Sequence, residues 1–348
     1  MISFTSLLMS WHDSVDRKLP WKETVDPYKI WISEVVLQQT RVQQGTHYYL
    51  KLIKAYPSVE ELASADEDDL LRLWKGLGYY SRARNMHKAA KIIAQDYDGQ
   101  FPTKKSDIEK LPGIGPYTAA AISSFAYGLP YAVVDGNVYR VLSRVFGIFL
   151  PINATAGIKK FAALAQELLD KNNPAHYNQA IMDFGALCCK PKSPDCMFCP
   201  MTEICIAYQQ GLVQSLPVKE KKINRRMRKF IGLIISADRH ILIQKRQDKD
   251  IWQGLYSIPL IEDDLTHNKA AQLSSLGPNY EVRLDDMEFL KQDQQKLTHQ
   301  DIVVDFYVVK VAQLNADTIR INNDNYDQFA LPRVIDKMLK EYLRNGQL

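Results

Sequence analysis

Apolar residues recur at helical spacing from about residue 3 to residue 210, as in Ile30, Trp31, Val35 and Leu37, or Phe161, Leu164, Ala165 and Leu168. Proline and glycine punctuate the stretches, and no alternating run breaks them, so this part is expected to be all helical. After residue 229 the pattern changes. KFIGLIISA (229–237), HILIQKR (240–246) and DIVVDFYVVKVA (301–312) are β-branched and partly alternating, with turn residues between them. LPRVIDKMLKEYL (331–343) returns to a helical period. The pattern predicts a multidomain chain: an all-α domain over 1–215, a linker over 216–229, and a smaller α+β domain over 230–348.

Composition agrees with two folded domains. The chain has 348 residues, 46% of them hydrophobic, which excludes disordered and fibrous classes. The 44 basic and 40 acidic residues leave a net charge of +4, too little to name a polyanionic partner. Its distribution says more, because residues 216–229 alone carry 7 basic and 1 acidic residue. Such a linker suits contact with a polyanion, although a solvated tether reads the same way. No run of eighteen apolar residues occurs, and MISFTSLLMSWHD has no basic stretch before its short apolar run. Neither a membrane span nor a secretory leader is expected, and a cytosolic location is the default.

All five cysteines (Cys188, Cys189, Cys196, Cys199 and Cys205) fall within 18 residues, which points to a metal site in a reducing compartment. Cys189, Cys196, Cys199 and Cys205 read C-x6-C-x2-C-x5-C. Four thiolates this close can wrap one centre, zinc or iron–sulfur. Only one pair has the tight spacing of structural zinc sites, which favours [4Fe–4S], although the ferredoxin spacing differs too. Cys188 is expected to be a buried helix residue.

Two further motifs carry chemistry. LPGIGPYTAAAI (111–122) places Gly113 and Gly115 in a tight turn leading into an alanine-rich helix, whose free N–H groups can bind a phosphate. Any helix–helix turn could look the same. VVDGNVYR (133–140) follows, with Asp135 after an apolar pair. In WISEVVLQQTRV (31–42), Glu34 stands among apolar residues. Burial would raise its pKa toward the range useful to a general acid, but periodicity leaves a surface glutamate equally open.

Taken together, these motifs resemble a known family. The cysteine spacing is similar to the iron–sulfur loop of the endonuclease III group of helix-hairpin-helix DNA glycosylases, in which a mainly structural cluster orders a DNA-contacting loop. SEVVLQQTRV, LPW (19–21) and GLGYYSRARN (76–85) narrow the resemblance to the MutY-type adenine DNA glycosylases, over nearly the whole chain. The resemblance implies removal of adenine mispaired with 8-oxoguanine or guanine from double-stranded DNA, which would place the protein on the nucleoid; a monomer is expected because a clamp around DNA needs no more. It implies that Glu34 protonates adenine N7 and that Asp135 stabilises the sugar cation at C1′. A bond to a purine breaks through an oxocarbenium-like sugar, which needs both an acid and a carboxylate.

By the same resemblance Arg17, Trp21 and Gln179 line the flipped-base pocket and Asn137 orders the site. Gln39 and Tyr79 fill or wedge the duplex near the lesion, although Tyr79, Tyr80, Arg82 and Arg84 could also be core tyrosines and solvated arginines. Bifunctional endonuclease III enzymes carry a lysine at the position of Tyr117, and a phenol cannot form the Schiff base that permits strand cleavage. A monofunctional enzyme is therefore expected, with Tyr117 supporting the intermediate. Lys104, Lys105 and Lys110 leave weak adventitious lyase activity open.

ILIQKRQDKDIWQGLYSIP (241–259) resembles the Nudix-like lesion-recognition domain of that family. A Nudix hydrolase needs an Arg-Glu dipeptide in its magnesium motif and the chain has none, so a binding module is expected. Thr298 and His299 stand where the family carries a serine–histidine pair that reads 8-oxoguanine. Leu297 replaces the usual aromatic and Gln300 follows the pair. Two competing readings are a bifunctional lyase on oxidised pyrimidines, disfavoured by Tyr117 and the second domain, and a non-catalytic damage sensor, disfavoured by the joint presence of Glu34 and Asp135.

Overall fold

Several helix starts in the first 220 residues are set by short side chains that accept from the first free N–H groups. Ser3, Asp26, Ser58, Asp66 and Asp135 each cap a helix in this way. Pro27, Pro116 and Pro174 stand in first turns, where a missing N–H is tolerated. The computed structural model describes residues 3–220, 225–247, 249–262 and 286–344. Residues 221–224 of the expected linker lie outside the described residues.

The helices are α1 (Phe4–Asp13), α2 (Pro27–Leu37), α3 (Val42–Ala55), α4 (Val59–Ser64), α5 (Glu67–Leu73), α6 (Ser81–Asp96) and α7 (Lys105–Ile108). They continue with α8 (Pro116–Tyr127), α9 (Gly136–Val145), α10 (Thr155–Leu168), α11 (Pro174–Leu187), α12 (Ile206–Gln209) and α13 (Arg333–Arg344). The strands are β1 (Arg226–Ala237), β2 (His240–Lys245), β3 (Tyr256–Ser257), β4 (Leu260–Glu262), β5 (Glu288–Lys296), β6 (Gln300–Lys310) and β7 (Ile319–Ile321). No strand occurs among the described residues before 226, as the unbroken helical period predicts. None of the described helices is long and apolar enough to cross a membrane.

The chain divides into two compact units, one formed by residues up to 65 with 85–222, the other by 66–84 with 223–348. In the first, α9 and α11 pack on each other with α1 against α11, burying Leu8, Val141, Leu142, Phe161, Tyr177 and Phe184. A Cβ at Gly185 would lie 2.6 Å from that of Asn137, so α11 approaches the start of α9 only because residue 185 has no side chain. The hairpin runs from α7 through residues 109–115 to α8. Gly113 there takes φ +79°, and a Cβ would meet Asn85 at 2.8 Å.

In the second unit, β1 and β6 pair in parallel from Arg226↔Gln300 to Ser236↔Lys310. β5 joins β6, and β2 and β4 join β1, all antiparallel, giving a mixed sheet. The buried residues of α13 are Val334, Ile335, Met338, Leu339, Tyr342 and Leu343, one apolar stripe that closes this core. The unit also takes in residues 66–84. Asp68 accepts from Tyr256 Oη at 2.7 Å and pairs with Lys245 Nζ at 2.5 Å, while Lys75 Nζ pairs with Asp336 at 2.9 Å.

One sequence expectation fails. Cys188 is not a buried helix residue, because α11 ends at Leu187 and Cys188, half-exposed, caps it. Its thiol joins those of the other cysteines instead.

Candidate active site

Glu34 owes its environment to a helix buried on nearly all faces. α2 packs against α3 and α8, with Ile30, Trp31, Ile32, Val35 and Val36 buried, and Glu34 itself only 9% exposed. Contact with α8 brings in Tyr117 from that helix's first turn, and the phenol hydrogen-bonds Glu34. Burial pushes the Glu34 carboxyl up to about 7; the Tyr117 bond lowers it and the charge of Asp135 raises it further. The surface-glutamate alternative is excluded.

Asp135 reaches the same site as the N-cap of α9. Its Oδ1 accepts from the N–H groups of Asn137 and Val138, both at 2.8 Å, and its Oδ2 from Asn137 Nδ2 at 2.7 Å. Burial raises its pKa, and these bonds and the Arg140 charge oppose the rise. The two acids thus differ in surroundings: Glu34 is raised mainly by burial, with one phenol bond against the rise, whereas Asp135, also raised by burial, is met by three N–H donors and the Arg140 charge that favour its ionised form. Arg140 extends the set. It donates to Asn137 Oδ1 at 2.8 Å, Gly185 O at 2.7 Å and Cys189 O at 2.7 Å, joining the Asp135 turn to the first cysteine of the spaced four.

A cleft of about 890 Å³ opens over both carboxyls. Glu34, Tyr117, Asp135 and Asn137 line it together with Arg17, Trp21, Gln39 and Gln179. Trp21 is held edge-on to Tyr49 at 5.5 Å, and Gln39 sits in the turn after α2 with φ +56°. Gly113 and Gly115 lie in the hairpin turn outside this lining. Gly115 caps α8 with φ −96°, and a Cβ added there would meet no atom within 4 Å, so that helix start is open to an approaching group.

Sequence reasoning misses Asp183, which lies outside this lining, and its partners His12 and Lys22, which are part of it. Asp183, fully buried, accepts from Arg17, Gln179, Lys22 and His12. Burial pushes its carboxyl up, but the His12, Lys22 and Arg17 bonds hold it at about 2. A signal for it exists: Asp183 follows Gln179 by four residues on an apolar helix, the same oddity that marks Glu34. His12 and Lys22 carry no comparable signal.

In the other unit, Leu297, Thr298 and His299 form the tight connection between β5 and β6, closed by Leu297 N–H donating to Gln300 O at 2.8 Å. Leu297 packs on the sheet core, while Thr298 and His299 are exposed. Tyr79 is exposed with φ +47°, and its hydroxyl hydrogen-bonds Thr298 Oγ1. Arg82 instead lies over the Trp74 ring and donates to the carbonyls of Leu77 and Gly78, a structural role. Arg84 donates to Gln253 O.

Cys189, Cys196, Cys199 and Cys205, together with Cys188, line one small cavity. Among the described residues no three His, Cys, Asp or Glu side chains already stand at single-ion spacing. The donor set nonetheless suits a cationic, thiophilic centre. Burial raises the thiols of Cys189, Cys196 and Cys205, with neighbouring thiols adding to the rise, and a bound cation would reverse it. Arg144 braces this loop, with Nη1 at 3.4 Å from Cys189 Sγ and 2.8 Å from Lys190 O, and Nε at 3.1 Å from Leu216 O.

Residues 32–171 match the family model for HhH-GPD superfamily base excision DNA repair proteins, and residues 230–341 that for a NUDIX domain. An adenine DNA glycosylase of Buchnera aphidicola from Schizaphis graminum is 39% identical over 257 residues, 74% of each chain. Another, from the Baizongia pistaciae strain, is 34% identical over 97% of this chain and 95% of its own. The human adenine DNA glycosylase is 39% identical over 60% of this chain and 40% of its own. Among solved structures, a thermostable thymine-DNA glycosylase superposes with TM-score 0.56 at 31% identity, over 60% of this chain and 95% of that one. An endonuclease III–DNA complex shares the fold, with TM-score 0.53 at 22% identity over 60% and 94%. On 34–39% identity to curated members over 74–97% of the chain and on both domain matches, the chain belongs to the adenine DNA glycosylase family of base excision repair enzymes.

Proposed function

We propose that this chain excises adenine lying opposite 8-oxoguanine or guanine in double-stranded DNA and leaves an abasic site. The observation that carries the reading is the pair of unlike carboxyls under one cleft. Adenine N7 and C1′ cannot be approached inside the base stack, so the nucleotide must turn out into the cleft. Glu34, near half-protonated at neutral pH, protonates N7 and makes the base a neutral leaving group. Asp135, whose ionised form three N–H donors favour, stabilises the cation that forms at C1′, and Asn137 orients it. Arg17, Trp21 and Gln179 hold the base. N–H groups at the Gly113–Gly115 turn take a backbone phosphate.

Tyr117 offers no amine, so the reaction stops at the abasic site without strand scission. Its phenol supports Glu34 and the sugar cation instead. Gln39 and Tyr79 occupy the space left in the duplex, which offsets part of an unstacking cost of roughly a few kcal/mol. Thr298 and His299 read the opposite base. Residues 1–215 form the glycosylase domain, 216–229 a basic linker along the DNA, and 230–348 the recognition module, and a monomer suffices.

Cys189, Cys196, Cys199 and Cys205 would hold a [4Fe–4S] cluster. When bound, such a cluster supplies four thiolate bonds that order the loop between α11 and α12. Through Cys189 O, Arg140 would pass that order to Asn137 and the Asp135 turn. Purified protein is expected to contain iron and sulfide with a thiolate-to-iron absorbance band; colourless, zinc-loaded protein would contradict this assignment.

Opposite-base reading is tested by the double change Thr298→Ala, His299→Ala. Single-turnover rates are expected to show the preference for adenine opposite 8-oxoguanine over adenine opposite guanine narrowing by about tenfold or more, as lost hydrogen bonds of ordinary strength would give. An unaltered ratio would remove the recognition role.

A further inference from the structure

Asp183 is a buried carboxylate whose two oxygens are each met twice. Oδ1 accepts from Arg17 Nη1 at 2.6 Å and Gln179 Nε2 at 3.0 Å. Oδ2 accepts from Lys22 Nζ at 2.5 Å and His12 Nε2 at 3.0 Å. Because an ionised carboxylate only accepts, every one of these groups must turn a donor toward it. His12 therefore carries its proton on Nε2, and in the neutral ring its Nδ1 is bare.

Nδ1 of His12 lies 2.9 Å from His176 Nε2. A bare nitrogen there requires His176 to donate, which leaves His176 Nδ1 as an acceptor, and Asn173 Nδ2 stands 3.4 Å from it. The result is one chain of donors pointing inward: Asn173 to His176, His176 to His12, His12 to Asp183. No member is left with two donors or two lone pairs facing. Hydrogen bonds on both oxygens stop the Asp183 carboxylate from turning about its own axis, and so hold what hangs on the other oxygen.

Gln179 is the group with most to lose from such turning. One of its two amide N–H groups donates to Asp183, which sets the amide plane and turns Oε1, an acceptor, away from that carboxylate on a residue that lines the cleft. An acceptor in the base pocket suits an exocyclic amine. A 6-oxo purine would bring a second lone pair against it, an arrangement that leaves both groups unpaired.

We propose that His12 and His176 are positioning residues for base selection: through Asp183 they keep the Gln179 amide turned with its oxygen toward the bound base, so that the pocket favours a 6-amino purine over a 6-oxo purine. This rests on the base-excision reading above. It adds to that reading a mechanism of discrimination located outside the groups that touch the reacting bond.

The test is single-turnover release of adenine and of hypoxanthine from otherwise identical duplexes, each placed opposite 8-oxoguanine. Wild-type protein is compared with His12→Phe, which removes one of the two donors on Oδ2 and leaves Lys22 alone there; His12→Gln, whose amide can restore it; and Gln179→Met, which removes the acceptor. Differences in intrinsic bond lability cancel when the adenine-to-hypoxanthine ratio of each variant is divided by that of the wild type. His12→Phe is expected to narrow the ratio about 3–10-fold, the worth of one hydrogen bond. Gln179→Met should narrow it at least as far, and His12→Gln should return it to within about twofold of wild type. Equal slowing of both bases by His12→Phe, or no recovery with His12→Gln, would make the histidines merely structural and overturn the proposal. Wild-type protein that releases no adenine would overturn the base-excision reading itself, an outcome visible before any variant is made.

Discussion

Glu34→Gln is expected to lower the single-turnover rate of adenine release by about 10²–10⁴-fold, the usual worth of a general acid, while binding of the mispaired duplex persists. The amide keeps the size and much of the hydrogen bonding of the acid but has no proton to give. The same change should stabilise the protein. Burial lifts the Glu34 pKa from 4.5 to about 7, so the folded state disfavours the ionised form that the unfolded chain adopts freely. For a carboxyl raised in the fold, stability declines as pH climbs from the unfolded value of about 4.5 to the folded value of about 7, then levels off. At pH 8 the penalty is roughly 3 kcal/mol, from 1.36 kcal/mol per pKa unit, and the neutral amide of the Glu34→Gln variant would not incur it.

Thermal unfolding of the two proteins should therefore diverge between pH 4.5 and 7, the variant melting higher above pH 7. Loss of activity with a gain in stability is the signature of a strained catalytic group. An unchanged rate would place the acid elsewhere. The wild-type rate should also fall as pH rises past about 7, when Glu34 loses its proton, and fall again in acid as Asp135 gains one. The two carboxyls sense each other, so the apparent values belong to the pair.

Asp135→Asn separates two duties of one side chain. Asparagine caps a helix about as well as aspartate, so α9 should keep its start and stability should move by less than about 1 kcal/mol. The negative charge proposed to face C1′ is gone, and excision should fall by about 10³-fold or more. Only one of the two Asn137 contacts survives easily, because an amide nitrogen at position 135 would face Asn137 Nδ2 donor to donor. Circular dichroism and melting temperature report the first duty, and single-turnover excision the second. A variant that loses activity only in proportion to a lost fold would show that Asp135 acts as a cap alone.

The architecture is largely legible in the sequence because its signals are periodic. Glu34 is ambiguous there for a physical reason: an acid among Trp31, Ile32, Val35 and Val36 looks the same whether the helix is half-buried or buried on all sides. Packing of α3 and α8 on α2 settles that, and no local pattern encodes it. Arg140 and Asp183 escape notice because each is defined by partners 45 or more residues away, or by a four-residue step that only a known helix makes meaningful. Cys188 reads as a helix residue, yet α11 stops one residue short of it, where the chain must turn to bring the thiols together. His12 and His176 are 164 positions apart and have no reading except in the fold.

Whether Glu34 and Asp135 together break the bond to adenine, with nothing in the site that cleaves the strand, is tested most directly by a single-turnover assay on end-labelled duplexes. These carry adenine opposite 8-oxoguanine, adenine opposite guanine, or thymine glycol opposite adenine, each assayed with and without alkali. Breakage of the adenine strand is expected only after alkali, faster opposite 8-oxoguanine than opposite guanine, with none at thymine glycol. Breakage at thymine glycol without alkali, or tight binding with no excision from any duplex, would contradict it.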